Sequence, residues 1–167
     1  GIGDDCAVWS PRAGHQLAFS ADMLVEGRHF LSTVEPARLG HKALAVNLSD
    51  LAACGASPQA FLLSLSLPRV DESWLSGFSQ GLFQLANAHG CELIGGDTTQ
   101  GPLNIAITVI GDTPQGQSIL RSGAQVGDDL YVSGHLGDAR LALEAFRGNV
   151  SLPQPVFDLT RRRMESP

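Results

Sequence analysis

The chain is short of positive charge and of lysine above all. Eleven basic residues stand against 17 acids, Lys42 is the one lysine, and the net charge is −6. Such a chain offers no basic surface for a nucleic acid backbone, and a polyanionic ligand has to be met through metal ions. Cysteine is scarce as well. Cys6, Cys54 and Cys91 are far apart, odd in number and form no C-x-x-C pair, which argues against a disulfide framework and a zinc site and points to the cytoplasm. No run approaches the roughly 20 apolar residues of a membrane span. No signal peptide is visible either, although the chain opens on Gly1 rather than methionine. The absence of G-x-x-x-x-G-K-[ST] excludes a P-loop, and neither Gly1-Ile-Gly3 nor Gly134-His-Leu-Gly137 completes a dinucleotide fingerprint.

What is present is a chain of 167 residues, 43% hydrophobic, with a mean hydropathy of +0.05. That is enough for one good core. The organising segment runs from Lys42 to Ala56. Leu44, Leu48, Leu51 and Gly55 recur at helical spacing as an apolar seam, while Asn47, Asp50 and Cys54 share a second face. Small alanines around Asp50 leave room for another backbone or a ligand, and a carboxylate there must be hydrogen-bonded, paired or metal-bound. On this segment alone, capping of a neighbouring loop and coordination of a metal both stay open.

The helical region opens at Pro36 and ends at Gly55, with Gly40 a candidate break. Further helices are expected from Asp71 to Gly90, from Ala139 through Arg147, and from Phe157 to Met164, where Arg161-Arg-Arg163 reads as a solvated face. Strands are expected up to Trp9 and over Gln16 to Asp22. Gln59 to Leu67 is apolar on both faces and so central or covered twice. A short strand from Cys91 ends in a Gly95-Gly96-Asp97 loop, Leu103 to Ile110 is a strand turning at Gly111 to Gly116, and Leu130 to Ser133 is another. This order belongs to an α/β or α+β domain rather than a strictly alternating parallel fold.

Oxygen donors recur at these element ends. Asp4 and Asp5 follow glycines at a strand mouth, where a solvated terminus is the duller alternative. Ser20 and Asp22 share one face of a strand, which is otherwise simply a wet face. Asp97 follows two glycines and precedes Thr98 and Thr99, so backbone N–H groups and the acid can face an anion and its cation together; a plain turn is the other reading. Arg121 offers a bidentate fork for a phosphate, or a surface salt bridge. His29, in Glu26-Gly-Arg-His29, is without further support a surface histidine. Asp4, Asp5, Ser20, Asp22, Asp50 and Asp97 together suit several Mg²⁺ ions on a polyphosphate, because each ion keeps waters and shares one or two carboxylates with phosphate oxygens.

Gly1-Ile-Gly-Asp-Asp5, Ser20-Ala-Asp-Met-Leu-Val-Glu-Gly-Arg-His-Phe30, the Lys42 to Ala56 segment, Leu93-Ile-Gly-Gly-Asp-Thr-Thr99 and Arg121-Ser-Gly-Ala124 resemble the thiamine-monophosphate kinase family. The resemblance covers nearly the whole chain. It places the chain in the superfamily of aminoimidazole ribonucleotide synthetase, selenophosphate synthetase and a hydrogenase-maturation protein. The fold it implies is a mixed sheet with helices on one face, the N-terminal domain of that superfamily, which pairs into a barrel on homodimerisation. It implies an ATP- and Mg²⁺-binding unit over residues 1–150, with 151–167 a linker and the start of a truncated C-terminal domain.

The activity implied is transfer of the γ-phosphoryl group of ATP to thiamine monophosphate, giving thiamine diphosphate, in the cytoplasm and without nucleic acid or membrane partners. Asp5, Ser20, Asp22, Asp50 and Asp97 fall on metal positions, with Asp4 adjacent. Gly96, Asp97 and Arg121 fall on ATP contacts, and His29 on a contact to the thiamine phosphate. Ala21 and Met23 stand where the family pattern has threonines, which leaves Ala21 only its carbonyl for a metal. The chain is expected to be an N-terminal fragment, dimeric and inactive alone. Another ATP-using enzyme of the superfamily, or a non-catalytic dimerisation or nucleotide-binding module, is the alternative.

Overall fold

The computed structural model describes residues 3–167, so Gly1 and Ile2 of the N-terminal glycine motif lie outside the described residues. The elements in order are β1 (His15–Val25), α1 (Pro36–Ala53), β2 (Ser57–Leu67), α2 (Glu72–Ala88), β3 (Glu92–Gln100), β4 (Asn104–Pro114), a 3₁₀ turn at Arg121–Gly123, α3 (Asp138–Phe146) and α4 (Gln154–Glu165). The four strands form one mixed sheet in the order β1-β4-β2-β3. β4 is antiparallel to both neighbours, and β2 and β3 are parallel. A parallel pair needs a crossover, and α2 supplies it.

The period of two decides which side is covered. Ile105, Ile107 and Val109 of β4, Phe61, Leu65 and Leu67 of β2 and Leu24 of β1 are buried with Leu44, Leu48 and Leu51 of α1 and Phe78 and Leu82 of α2. The alternate residues of β1 look the other way, and Phe19 and Met23 are 63% and 56% exposed. β2 is therefore central, as its apolar pattern implies, but covered on one face only.

Gly40 does not break α1. A Cβ there would lie 2.0 Å from the carbonyl oxygen of Phe78, and one on Gly81 of α2 would lie 1.8 Å from that of Ala37. The two glycines are the points at which the helices cross in backbone contact. α2 is capped by Asp71, whose side chain accepts from Trp74 N at 3.0 Å, and Trp74 stacks on Phe78 with ring centroids 5.0 Å apart.

Four expected features differ. Residues 6–9 form no strand and join neither edge of the sheet, and Val8 is 92% exposed. Leu130 to Ser133 is likewise irregular and exposed. Gly95, Gly96 and Asp97 are not a loop but part of β3, which keeps pairing with β2 through a bulge beside Phe61 and Leu62. β4 also runs on past Gly111 to Pro114, so its turn comes later than expected.

α3 and α4 pack on each other through the edge-to-face pair Phe146 and Phe157, with Arg161 over the Phe146 ring. α4 meets α1 through Glu165, which is 3% exposed and accepts from Arg38 at 2.8 Å and Arg161 at 2.9 Å. Among the described residues, no helix is long and apolar enough to cross a membrane.

Candidate active site

Two hydrogen bonds fasten β1 to α1. Ser20 Oγ donates to Asp50 Oδ2 at 2.5 Å, and Asn47 Oδ1, one helical turn earlier, accepts from the backbone N–H of Asp22 at 3.1 Å. Asn47 is buried, and its amide nitrogen donates to Ala43 O, so both ends of the side chain are satisfied. Ser20 thus meets Asp50 on the helix side of the sheet, and Asp22, on the same strand face as Ser20, is tied to that helix through its backbone N–H. The Asp22 and Asp50 side chains stay exposed.

Asp97 is elsewhere. It pairs with Ser64, which pairs with Ala106, which pairs with Met23, so it belongs to the open face and to the far edge strand. Three strand spacings, about 14 Å, separate that edge from β1. Asp4 and Asp5 join Asp97 rather than Asp50. Together with Gly96, Leu62 and Leu63 they line a depression of about 430 Å³. Gly96 has φ +146°, and a Cβ on it would lie 1.8 Å from Leu63 O, so no other residue fits beside Asp97. Ala21 is on the open face, with its side chain turned away from Ser20 and Asp22.

The donor set fits Mg²⁺ in kind. Carboxylates, hydroxyls and carbonyls are hard oxygen donors, and no thiol or imidazole stands among them. No three His, Cys, Asp or Glu side chains converge among the described residues. Mg²⁺ ordinarily takes only one or two protein carboxylates and fills its octahedron with water and phosphate oxygens, so a site of this sparseness is compatible with it.

His29 lines a larger cavity of about 620 Å³ between the loop after β1, α1, α3 and α4. Its Nδ1 accepts from Val25 N at 3.0 Å. Arg28, Lys42, Arg140 and Arg147 share that wall with Leu143, Phe146 and the acid Glu165, so cations and apolar groups predominate. Arg140 and Arg147 both pair with Glu144, whose carboxyl is held below the usual range chiefly by the Asn149 amide, with Arg140 assisting. Arg121 is exposed on its 3₁₀ turn, lines neither depression and makes no ion pair among the described residues.

Asn47 as a clamp and Lys42 as a bridge are the groups that sequence reasoning passed over. A lone lysine inside an Ala-Leu helix was the available signal for the second. A third is the ion pair of Arg12 with Asp112, a bidentate contact at 2.8 and 3.0 Å to a carboxylate only 4% exposed.

Residues 3–113 match the family model of AIR synthase related protein, N-terminal domain. A thiamine-monophosphate kinase of Escherichia coli (strain K12) is 49% identical over 152 residues, 91% of this chain and 47% of the relative. The crystal structure of thiamine-monophosphate kinase from Stenotrophomonas maltophilia K279a superposes with TM-score 0.91 at 45% identity, over all of this chain and 54% of that one. AaThiL complexed with AMPPCP and TMP superposes with TM-score 0.84 at 32% identity, over 95% of this chain and 51% of that one. The chain therefore spans about half the length of the relatives it matches.

Proposed function

Because the chain belongs to the AIR synthase related protein family, matched over residues 3–113, we propose that it serves ATP-dependent phosphorylation of thiamine monophosphate to thiamine diphosphate. The observation that carries this reading is the fit of nearly the whole chain onto AaThiL, whose structure is complexed with AMPPCP and TMP. The oxygen donors on both sides of the sheet support it. The cytoplasm, where ATP is plentiful, is the compartment proposed with the activity.

The acceptor is itself an ionised phosphate, so the reaction asks little of a general base. Two anions must instead be aligned and their charge neutralised. Bound Mg²⁺ would supply that charge neutralisation. Asp4, Asp5 and Asp97 would hold it at the β3 edge, and Ser20, Asp22, Asp50 and the Ala21 carbonyl at β1. The chain's own part is placement. Gly96 lets β3 run flush against β2 so that Asp97 stands beside Asp4 and Asp5. Asn47 and Ser20 hold the Asp22 stretch of β1 to the helix that carries Asp50. Arg121 is assigned to the nucleotide, where a guanidinium binds phosphate bidentately. His29 is assigned to the acceptor phosphate, for which its cavity offers several cations.

The open sheet face, with Phe19 and Met23 uncovered, supports a homodimer in which two copies bury that face against each other. The activity is tested in a chimera that joins this chain to the part of the Escherichia coli relative it does not cover. Thiamine-monophosphate-dependent ADP release is expected, with aminoimidazole precursors and selenide inert. ADP release with one of those instead of thiamine monophosphate would replace this reading by another activity of the family.

A further inference from the structure

Lys42 is the chain's one lysine, and its ammonium sits where two separate pieces of backbone meet. Nζ donates to His29 O at 2.9 Å and to Met164 O at 3.0 Å. The first carbonyl belongs to the tight loop after β1. The second belongs to the last turn of α4, where helical carbonyls lack an intrahelical partner and the helix dipole is negative. Burial draws the lysine pKa down, and the charge of Glu165 acts in the opposite sense. An ammonium is thus kept where burial disfavours it, and the two carbonyls are what it satisfies. Capping α4 would require only Met164 O. The bond to His29 is additional.

His29 is held from its other side. Val25 N donates to Nδ1, and a ring nitrogen that accepts carries no hydrogen, so the neutral ring bears its hydrogen on Nε2. The loop is closed by Gly27 N to Phe30 O and His29 N to Val25 O, each 2.9 Å. His29, Lys42 and Met164 all line the 620 Å³ cavity.

We propose that Lys42 is a positioning residue: its ammonium fixes the main chain of His29 against the end of α4 and so keeps the His29 imidazole oriented with Nε2–H as the donor on the cavity wall. The use of that donor rests on the proposed role of His29 toward the acceptor phosphate, but the positioning is readable without substrate. It makes the seating of α4 and the geometry of His29 one event.

The test uses the 167-residue chain with ¹⁵N-labelled histidine, His29 being assigned by comparison with His29→Gln. At about pH 8, above the ordinary histidine range, wild-type His29 is expected to show an unprotonated Nδ1 and a protonated Nε2. Lys42→Met should mix the two tautomers, and Lys42→Arg, which keeps a cationic donor, should restore much of the wild-type pattern. In the chimera, Lys42→Met should weaken thiamine monophosphate about tenfold, the worth of one lost hydrogen bond, with the KM for ATP unchanged. A folded Lys42→Met chain with an unaltered His29 spectrum overturns the proposal, because a purely structural lysine would move only the Tm. Should that variant not fold, the wild type decides alone. A single lysine gives one Nζ resonance, and the absence of a nuclear Overhauser contact from its protons to His29 overturns the proposal. If neither wild type nor variant binds thiamine monophosphate while the His29 spectrum responds as expected, the acceptor reading falls and the positioning stands.

Discussion

Ser20 and Asp50 are 30 residues apart in sequence, yet Ser20 Oγ donates to Asp50 Oδ2 at 2.5 Å. That bond joins an edge strand to the helix in front of it and leaves the rest of the carboxylate in solvent. Asp50→Asn keeps an oxygen to accept from Ser20 and removes the negative charge. Turnover in the chimera should fall at least roughly hundredfold, with the Tm within a few degrees of wild type. Steady-state ADP release and a thermal melt check both parts. Wild-type turnover would take Asp50 out of the metal site.

The crossing of α1 and α2 has no tolerance for a methyl group. A Cβ on Gly81 would overlap Ala37 O at 1.8 Å, so Gly81→Ala must push the helices apart and open the core around Phe78 and Leu82. A loss of about 1–3 kcal/mol or more is expected, even though alanine is the better helix former. Urea denaturation measures it, and an unchanged midpoint would contradict the close crossing.

How much of this was readable from sequence depended on whether a signal was local. The Leu44, Leu48 and Leu51 seam is a 3.6-residue period, and α1 lies where that period places it. Gly40 read locally as a break, because only the neighbouring helix explains why a glycine is needed there. Gly95 and Gly96 read locally as a turn, because the pairing with β2 that extends the strand is non-local. The run from Cys6 to Trp9 and Leu130 to Ser133 have strand composition, yet neither joins the sheet although β1 and β3 are its edges, because composition alone does not specify a pairing partner. The Ser20 and Asp22 face follows from alternation and was readable. Whether Asp97 shares that face is a matter of register across three strand pairs, which no spacing in one segment encodes.

Arg12 reaches across to Asp112, a carboxylate only 4% exposed that also accepts from Gln59 at 3.2 Å. Arg12→Ala leaves that carboxylate buried without its counter-charge. A cost of about 1–3 kcal/mol is expected, below the range for fully buried pairs because Arg12 itself is largely exposed. The double variant Arg12→Ala with Asp112→Asn should recover part of the loss. A double-mutant cycle by chemical denaturation measures the coupling, and strict additivity would show that the pair contributes nothing.

Cys91 is buried at the start of β3, and burial pushes its thiol up to about 11. In the unfolded chain the thiol ionises near its ordinary value of 9.0. Between those values the unfolded state holds fewer protons than the folded state, so stability must fall as pH rises through that window. The wild type should lose roughly 2 kcal/mol more than Cys91→Ala between about pH 9 and pH 11. Parallel pH-stability curves for the two proteins would refute this.

The role proposed for this chain is to supply the nucleotide and metal half of a phosphoryl transfer to a phosphate acceptor. The measurement that bears on it most directly is ADP release by the chimera with ATP, Mg²⁺ and thiamine monophosphate, run beside the 167-residue chain alone. One thiamine diphosphate per ADP is expected in the chimera, with abolition by chelation of Mg²⁺ and no turnover by the chain alone. Acceptor-independent ADP release by a folded chimera, or turnover that survives chelation, would contradict it.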